Sequence, residues 1–207
     1  MTGIADKIIR RVRAKGRGKW VCTPKDFLDI GSRAAVDQAL SRLVKSGDLR
    51  RVGHGLYDLP RISGVLKRPA PVNIDSAVAA VARRDSVRIM NDGIASANQL
   101  GLTNAVPAKT TYVTDGATRN VKIGGRTIRL RHAGPNVMSW AGKMSAPVAQ
   151  ALRWLGPQAA TDDRVTMMLK QKLPDNVKKD LIRNSAHLPG WAASIVHDVA
   201  DQHAEAV

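Results

Sequence analysis

Between Gly3 and Pro60 the chain is cut by Lys15–Lys19, Thr23-Pro24, Gly31-Ser32, Gly47 and Gly53-His54-Gly55, and each interval has room for only one short element. The first interval places Ile4, Ile8 and Val12 at i, i+4 and i+8 with Lys7, Arg10, Arg11 and Arg13 between them, which predicts an amphipathic helix over Gly3 to Ala14. Lys15-Gly16-Arg17-Gly18-Lys19 ends it, and the apolar Trp20-Val21-Cys22 suits a single short strand. Thr23 has N-cap chemistry and Pro24 the fixed φ of a first helical residue, so a short helix should run from Pro24 to Leu28 or Asp29. Ser32 is the next N-cap candidate, and Val36, Leu40, Leu43 and Val44 repeat at helical spacing, which predicts a longer helix over Arg33 to Ser46. Leu49–Val52 and Leu56–Leu59, joined by Gly53-His54-Gly55 and closed by Pro60, have the lengths and turn residues of a β-hairpin. Helix, strand, helix, turn, helix, hairpin is the outline of a winged helix-turn-helix.

Lys67-Arg68-Pro69-Ala70-Pro71 has two prolines in three residues and no apolar periodicity, so it reads as a linker. The expected organisation is a winged helix-turn-helix over residues 1–66, a linker over 67–73 and a second domain over 74–207. In the second domain, Ile74–Ala82 and Asp92–Leu100 look helical, and Val87–Met90 and Thr110–Thr114 strand-like. Arg119–His132 alternates Val121, Ile123, Ile128 and Leu130 around Gly124-Gly125, a strong two-residue hairpin signal. Helices are expected over Val148–Leu155, Arg164–Lys172, Pro174–Arg183 and Trp191–Gln202. The fold class is α+β: a winged helix followed by a mixed α/β domain that ends in helices.

Charge bears on the partner. The 33 Lys and Arg outnumber 17 Asp and Glu among 207 residues, a formal charge of +16. Met1–Val72 carries 16 basic and 6 acidic side chains, a balance of +10, and Asn73–Val207 carries 17 and 11, a balance of +6. A field concentrated in the first third attracts a polyanion, because phosphate neutralisation releases condensed counterions. The 43% of apolar residues suffices for globular packing and argues against a disordered polycation. No stretch approaches the ~18 to 20 uncharged apolar residues of a membrane span, so no membrane partner is expected. Met1–Arg13 is interrupted by charge and has no signal-peptide core, and the single Cys22 allows no intramolecular disulfide, so the expected location is cytoplasmic.

If the Arg33–Ser46 helix buries Val36, Ala39, Leu40 and Leu43, its other faces show Arg33, Ala34, Asp37, Gln38, Ser41, Arg42 and Lys45. Arg33, Gln38 and Arg42 are long enough to reach base edges, and the paired polar ends of Arg and Gln match guanine and adenine. A merely solvated helix face fits the same residues. Arg50, Arg51 and His54 set cationic or hydrogen-bonding groups along the hairpin and at its tip, where phosphates would be met. The Lys15–Lys19 loop is either a further backbone contact or an exposed turn. Trp20 and Tyr57 read as core residues rather than base-stacking platforms.

An enzyme finds little support. His54, His132, His187, His197 and His203 form no i, i+4 pair, and the one Glu of the chain, Glu205, stands near its end. Gly16-Arg17-Gly18-Lys19 lacks the spacing and the Ser or Thr of a phosphate-binding P-loop. Gly31-Ser32 matches the glycine-serine pair of nucleotidyltransferases, but only the isolated Asp37 and Asp48 follow where two alternating carboxylates are needed. Asp162-Asp163 is better explained by helix capping than by catalysis. No catalytic residues, metal or cofactor are expected.

Thr23-Pro24-Lys25-Asp26-Phe27, the run Val36–Leu43 followed by Gly47-Asp48-Leu49, the wing Gly55–Pro60, and Leu188-Pro189-Gly190-Trp191 near the end together resemble the AbiEi-like antitoxins of type IV, abortive-infection toxin–antitoxin systems. The likeness runs through nearly the whole chain. It implies a winged helix that binds inverted repeats in its own promoter as an autoregulating transcriptional repressor, with Arg33, Arg42, Arg50 and Arg51 as DNA contacts. It also implies a second domain that counters a nucleotidyltransferase-like toxin without a stable complex. The basic surface expected for that task could be supplied by Arg126, Arg129 and Arg131 on the second hairpin and Lys178, Lys179 and Arg183 on a late helix. The alternative is an RNA- or nucleotide-binding regulatory protein that acts through its second domain.

Overall fold

The computed structural model describes residues 3–65 and 67–201. His203, Glu205 and the expected helix end at Gln202 lie outside them. The architecture is α+β, with two small sheets and a helical carboxy-terminal part. The chain divides into two compact units, one of residues 1–87 and 120–128, the other of residues 88–119 and 129–207.

The first unit contains the winged helix-turn-helix. Helix α1 (Ile4–Ala14) turns Ile8, Ile9 and Val12 inward, and α2 (Arg33–Lys45) turns Val36, Ala39, Leu40 and Leu43 inward. Phe27, on the 3-10 turn Pro24–Phe27, is fully buried between them. The short second helix is thus of the tighter 3-10 type, with the Thr23 amide donating to Asp26 Oδ2 at 2.8 Å. Strands β1 (Val21–Cys22), β2 (Arg50–Gly53) and β3 (Leu56–Asp58) form an antiparallel sheet in the order β1-β3-β2. Trp20 and Tyr57 pack against this core, Trp20 meeting Phe27 edge-to-face at 6.0 Å between ring centres.

The unit does not stop at the proline-bearing segment. Residues 67–73 lie inside it, folded back by an Ile62–Pro69 bridge and by amide bonds from Ala70 to Arg61 O and from Ser63 to Arg68 O. Helix α3 (Ile74–Asp85) then packs on β1. Its Ser76 hydroxyl accepts from the Val21 amide at 2.9 Å and donates to Lys19 O. Its Arg83 donates to Val21 O at 2.8 Å and to the Asp26 carboxylate at 3.1 Å. Buried Ala77, Val78, Ala80 and Val81 line the inner face. Two prolines break the helical periodicity of the sequence, but these contacts hold the segment to the winged helix. Residues 120–128, the tip of the second hairpin, belong here too: the Gly124 amide donates to Val52 O at 2.8 Å, so the outer edge of β2 is partly occupied.

In the second unit, β4 (Ile89–Asn91) pairs antiparallel with β5 (Thr111–Thr114), and β5 runs parallel to β7 (Arg126–His132) from Thr111↔Arg129 to Thr114↔His132. With β6 (Arg119–Ile123), which after Arg119 falls in the first unit together with residues 126–128 of β7, the order is β4-β5-β7-β6. The Gly124-Gly125 turn between β6 and β7 has positive φ at both residues, 56° and 80°, the requirement of a type I′ turn. Helix α4 (Gly93–Gln99), N-capped by Asp92, lies against α6 (Ala146–Ala160), and the short α5 (Pro135–Met138) precedes α6. The expected end of α6 at Leu155 marks a kink, where Gly156 takes φ 72° and ψ 172° before Pro157, and a further turn runs on to Ala160. Helices α7 (Asp163–Lys172), α8 (Asp175–Arg183) and α9 (Gly190–Ala200) close a core around Trp140, Leu152, Leu169, Leu181 and Val196. Asp162 caps α7 by accepting from the Arg164 amide at 2.8 Å.

Candidate nucleic-acid interface

Helix α2 starts where Ser32 Oγ accepts from the Ala35 amide, and the burial of its Val36–Leu43 stripe fixes the rest of its surface. Arg33, Gln38, Arg42 and Lys45 are all exposed. Arg33 Nε reaches Asp37 Oδ2 at 2.8 Å, an i,i+4 pair with the arginine side chain 64% accessible. A pair so exposed is worth under about 1 kcal/mol and is easily exchanged for another anion. Gln38, Arg42 and Lys45 make no side-chain bond or ion pair among the described residues.

The wing begins at Arg50 and bulges between Arg51 and Gly53 before turning at Gly55, whose φ is 62°. Arg51 and His54 are exposed, Arg51 at the strand and His54 at the turn. Arg50 behaves differently. Its Nε and Nη2 donate to the two oxygens of Asp58 at 3.0 and 2.7 Å, and its Nη1 to Ala70 O at 3.0 Å. Asp58 is 2% exposed. The hairpin register, Arg50↔Asp58, creates this clamp, so Arg50 is first a structural cation that neutralises a buried carboxylate.

The basic residues assigned to a second surface separate. Arg129 and Arg131 are exposed on one side of β7, alternating with buried Ile128 and Leu130. Arg126 has the opposite parity and falls in the first unit, which also carries the wing. On α8, Lys179 and Arg183 are exposed and Lys178 is half-buried. These three line a groove of about 480 Å³ that also holds Asp175 and Asp201, whose carboxylates dilute its positive charge.

Sequence reasoning missed Arg83 and Arg84, which serve the fold: Arg83 ties α3 to the 3-10 turn and lies over Trp20 at 5.9 Å, and Arg84 Nη1 donates to His54 O at the wing turn. Their place at the end of an amphipathic helix gave no signal of this. Cys22 is buried, its Sγ donating to Tyr57 O, and burial together with the nearby Asp26 pushes the thiol up to about 12. Among the described residues no group of His, Cys, Asp or Glu could hold a metal ion. None of their helices is long and apolar enough to cross a membrane.

The fold and these side chains define a basic winged-helix protein with an α+β second unit. The chain belongs to a family of unknown function, DUF6088, whose family model matches residues 7–182. No curated protein and no solved structure matches it.

Proposed function

We propose that this protein is a sequence-specific, non-enzymatic DNA-binding repressor of its own promoter, and the antitoxin of a type IV, two-gene system. The observation that carries the DNA reading is the exposed set Arg33, Gln38, Arg42 and Lys45 on one helix, beside a wing with exposed Arg51 and His54. A helix entering the major groove would bring Arg33, Gln38 and Arg42 to base edges, while Lys45, Arg51 and His54 meet phosphates. The antitoxin role rests on the resemblance to the AbiEi-like proteins. Its partner would be a nucleotidyltransferase-like toxin, countered without a stable complex, and Arg129, Arg131, Lys179 and Arg183 are the basic residues available for that task. Both roles belong in the cytoplasm, where the promoter and the toxin's targets are.

The test substitutes Arg33 and Arg42 by Ala and measures binding to the upstream region of the gene against a scrambled duplex. Loss of one good bidentate contact removes about 1–3 kcal/mol of discrimination. Unchanged discrimination overturns the assignment of α2 as the reading helix.

A further inference from the structure

Arg17, Gly18 and Lys19 of the turn, Arg50 of β2, and Arg61, Ala70, Pro71 and Asn73 of the folded-back segment line a pocket of about 340 Å³. Arg17, Lys19, Arg50 and Arg61 all line it, and among the described residues no carboxylate does. Arg17, Lys19 and Arg61 are exposed and have no ion-pair partner among the described residues. Only Arg50 is neutralised, and its bonds to Asp58 and Ala70 use three of its five N–H groups. Asn73 lines the pocket as well. Its Oδ1 accepts from the Ser76 amide at the start of α3, which leaves its side-chain nitrogen as a donor at the positive end of that helix.

The turn is held in place. Gly18 donates to Leu59 O at 2.7 Å, and a Cβ there would sit 3.3 Å from Arg61 Cβ at a φ of 71°, so glycine lets the two basic segments approach. The three uncompensated charges of Arg17, Lys19 and Arg61 around one small cavity repel each other, and a bound multivalent anion relieves that repulsion. The lining is donor-rich, which selects an oxyanion, and the volume exceeds what one phosphate fills, lying within the range of small-ligand sites.

We propose that this pocket is a phosphate-binding site that takes a phosphoryl or diphosphoryl group. The site is independent of the reading helix, so its failure would leave the α2 assignment untouched. The group can come from a small phosphorylated ligand or from a nucleic-acid backbone. Calorimetric titration of the full chain with inorganic pyrophosphate, and separately with a duplex of arbitrary sequence, distinguishes the two sources. The variants are Arg17→Ala/Arg61→Ala and Lys19→Ala, all at exposed side chains, with circular dichroism as a check of the fold and Arg61→Lys as the charge-keeping control. Saturable pyrophosphate binding that weakens at least tenfold in the double variant and is retained in Arg61→Lys supports a small phosphorylated ligand. Absence of pyrophosphate binding with at least tenfold weaker duplex binding in the double variant supports a backbone phosphate. The proposal is overturned if the double variant binds both probes as the unaltered chain does.

Discussion

Replacing Asp58 with Ala is the sharpest test of how the wing is held. The substitution removes the acceptor of two charge-assisted bonds from Arg50 and leaves a guanidinium whose side chain is 31% exposed with Ala70 O as its remaining partner. Removing one member of a buried ion pair costs about 3–5 kcal/mol, because the other charge stays desolvated. The partial exposure of Arg50 and its third bond bring this case below that range, to about 2–3 kcal/mol. For a unit of this size that corresponds to a fall of roughly 10 °C or more in melting temperature. The internal comparison is Arg11–Asp29, an equally short contact of 2.6 Å whose side chains are 36% and 61% exposed. Asp29→Ala should cost clearly less than Asp58→Ala, because solvent screens that pair. Urea unfolding of both variants, followed by far-ultraviolet circular dichroism, gives the two values directly. If they agree within about 0.5 kcal/mol, the Arg50–Asp58 clamp is an ordinary solvated pair and the structural role given to Arg50 is wrong.

Four further outcomes are expected. Gly93→Ala should destabilise the second unit by about 1–3 kcal/mol in thermal unfolding, since a Cβ there would lie 2.3 Å from Trp154 Cβ and 2.8 Å from Gln150 O, a clash that exceeds the helix propensity gained. Cys22 should resist an aromatic disulfide reagent at pH 8 in the native protein and react once the chain is unfolded, because its thiol is buried and held near 12. Burial pushes the Asp180 carboxyl up, but the Ser145 hydroxyl and amide and the charges of Lys143 and Arg183 outweigh it, so the native value lies below the ordinary one. The stability this supplies is present above the unfolded value of about 3.9 and is lost as pH falls through the native one, so Asp180→Asn should flatten the acid limb of a stability–pH curve. If α2 and the wing meet phosphates as proposed, Lys45→Ala and Arg51→Ala should each reduce the slope of log affinity against log salt by about 0.9.

The first sixty residues were legible because each element is set by local chemistry: an N-cap at Ser32, proline at the start of the 3-10 turn, and a helical stripe whose buried members are the four expected. Gly124-Gly125 was equally plain, since positive φ at two successive residues is cheap only for glycine. What stayed hidden depends on register and on distant partners. Arg50 looks like any strand arginine until the hairpin aligns it with Asp58. Arg83 looks like a solvated helix end until Asp26 and the Val21 carbonyl meet it. Pro69 and Pro71 suggest a linker because local signals cannot reveal that the chain after them packs back on β1. The cationic pocket was not visible either, because Arg17 and Arg61 lie far apart in sequence and meet only through the turn at Gly18.

The chain leaves the first unit after Val87, returns at Asn120 and leaves again after Ile128. A module threaded in this way cannot be lifted out with one pair of cuts. A gene fusion that borrowed only the front of this protein would lose the strand-edge cover at Val52, and a truncation beginning at Asn73 would strand α3 with Ala77 and Val81 open to water. Such a layout tolerates single surface substitutions more readily than the exchange of whole segments.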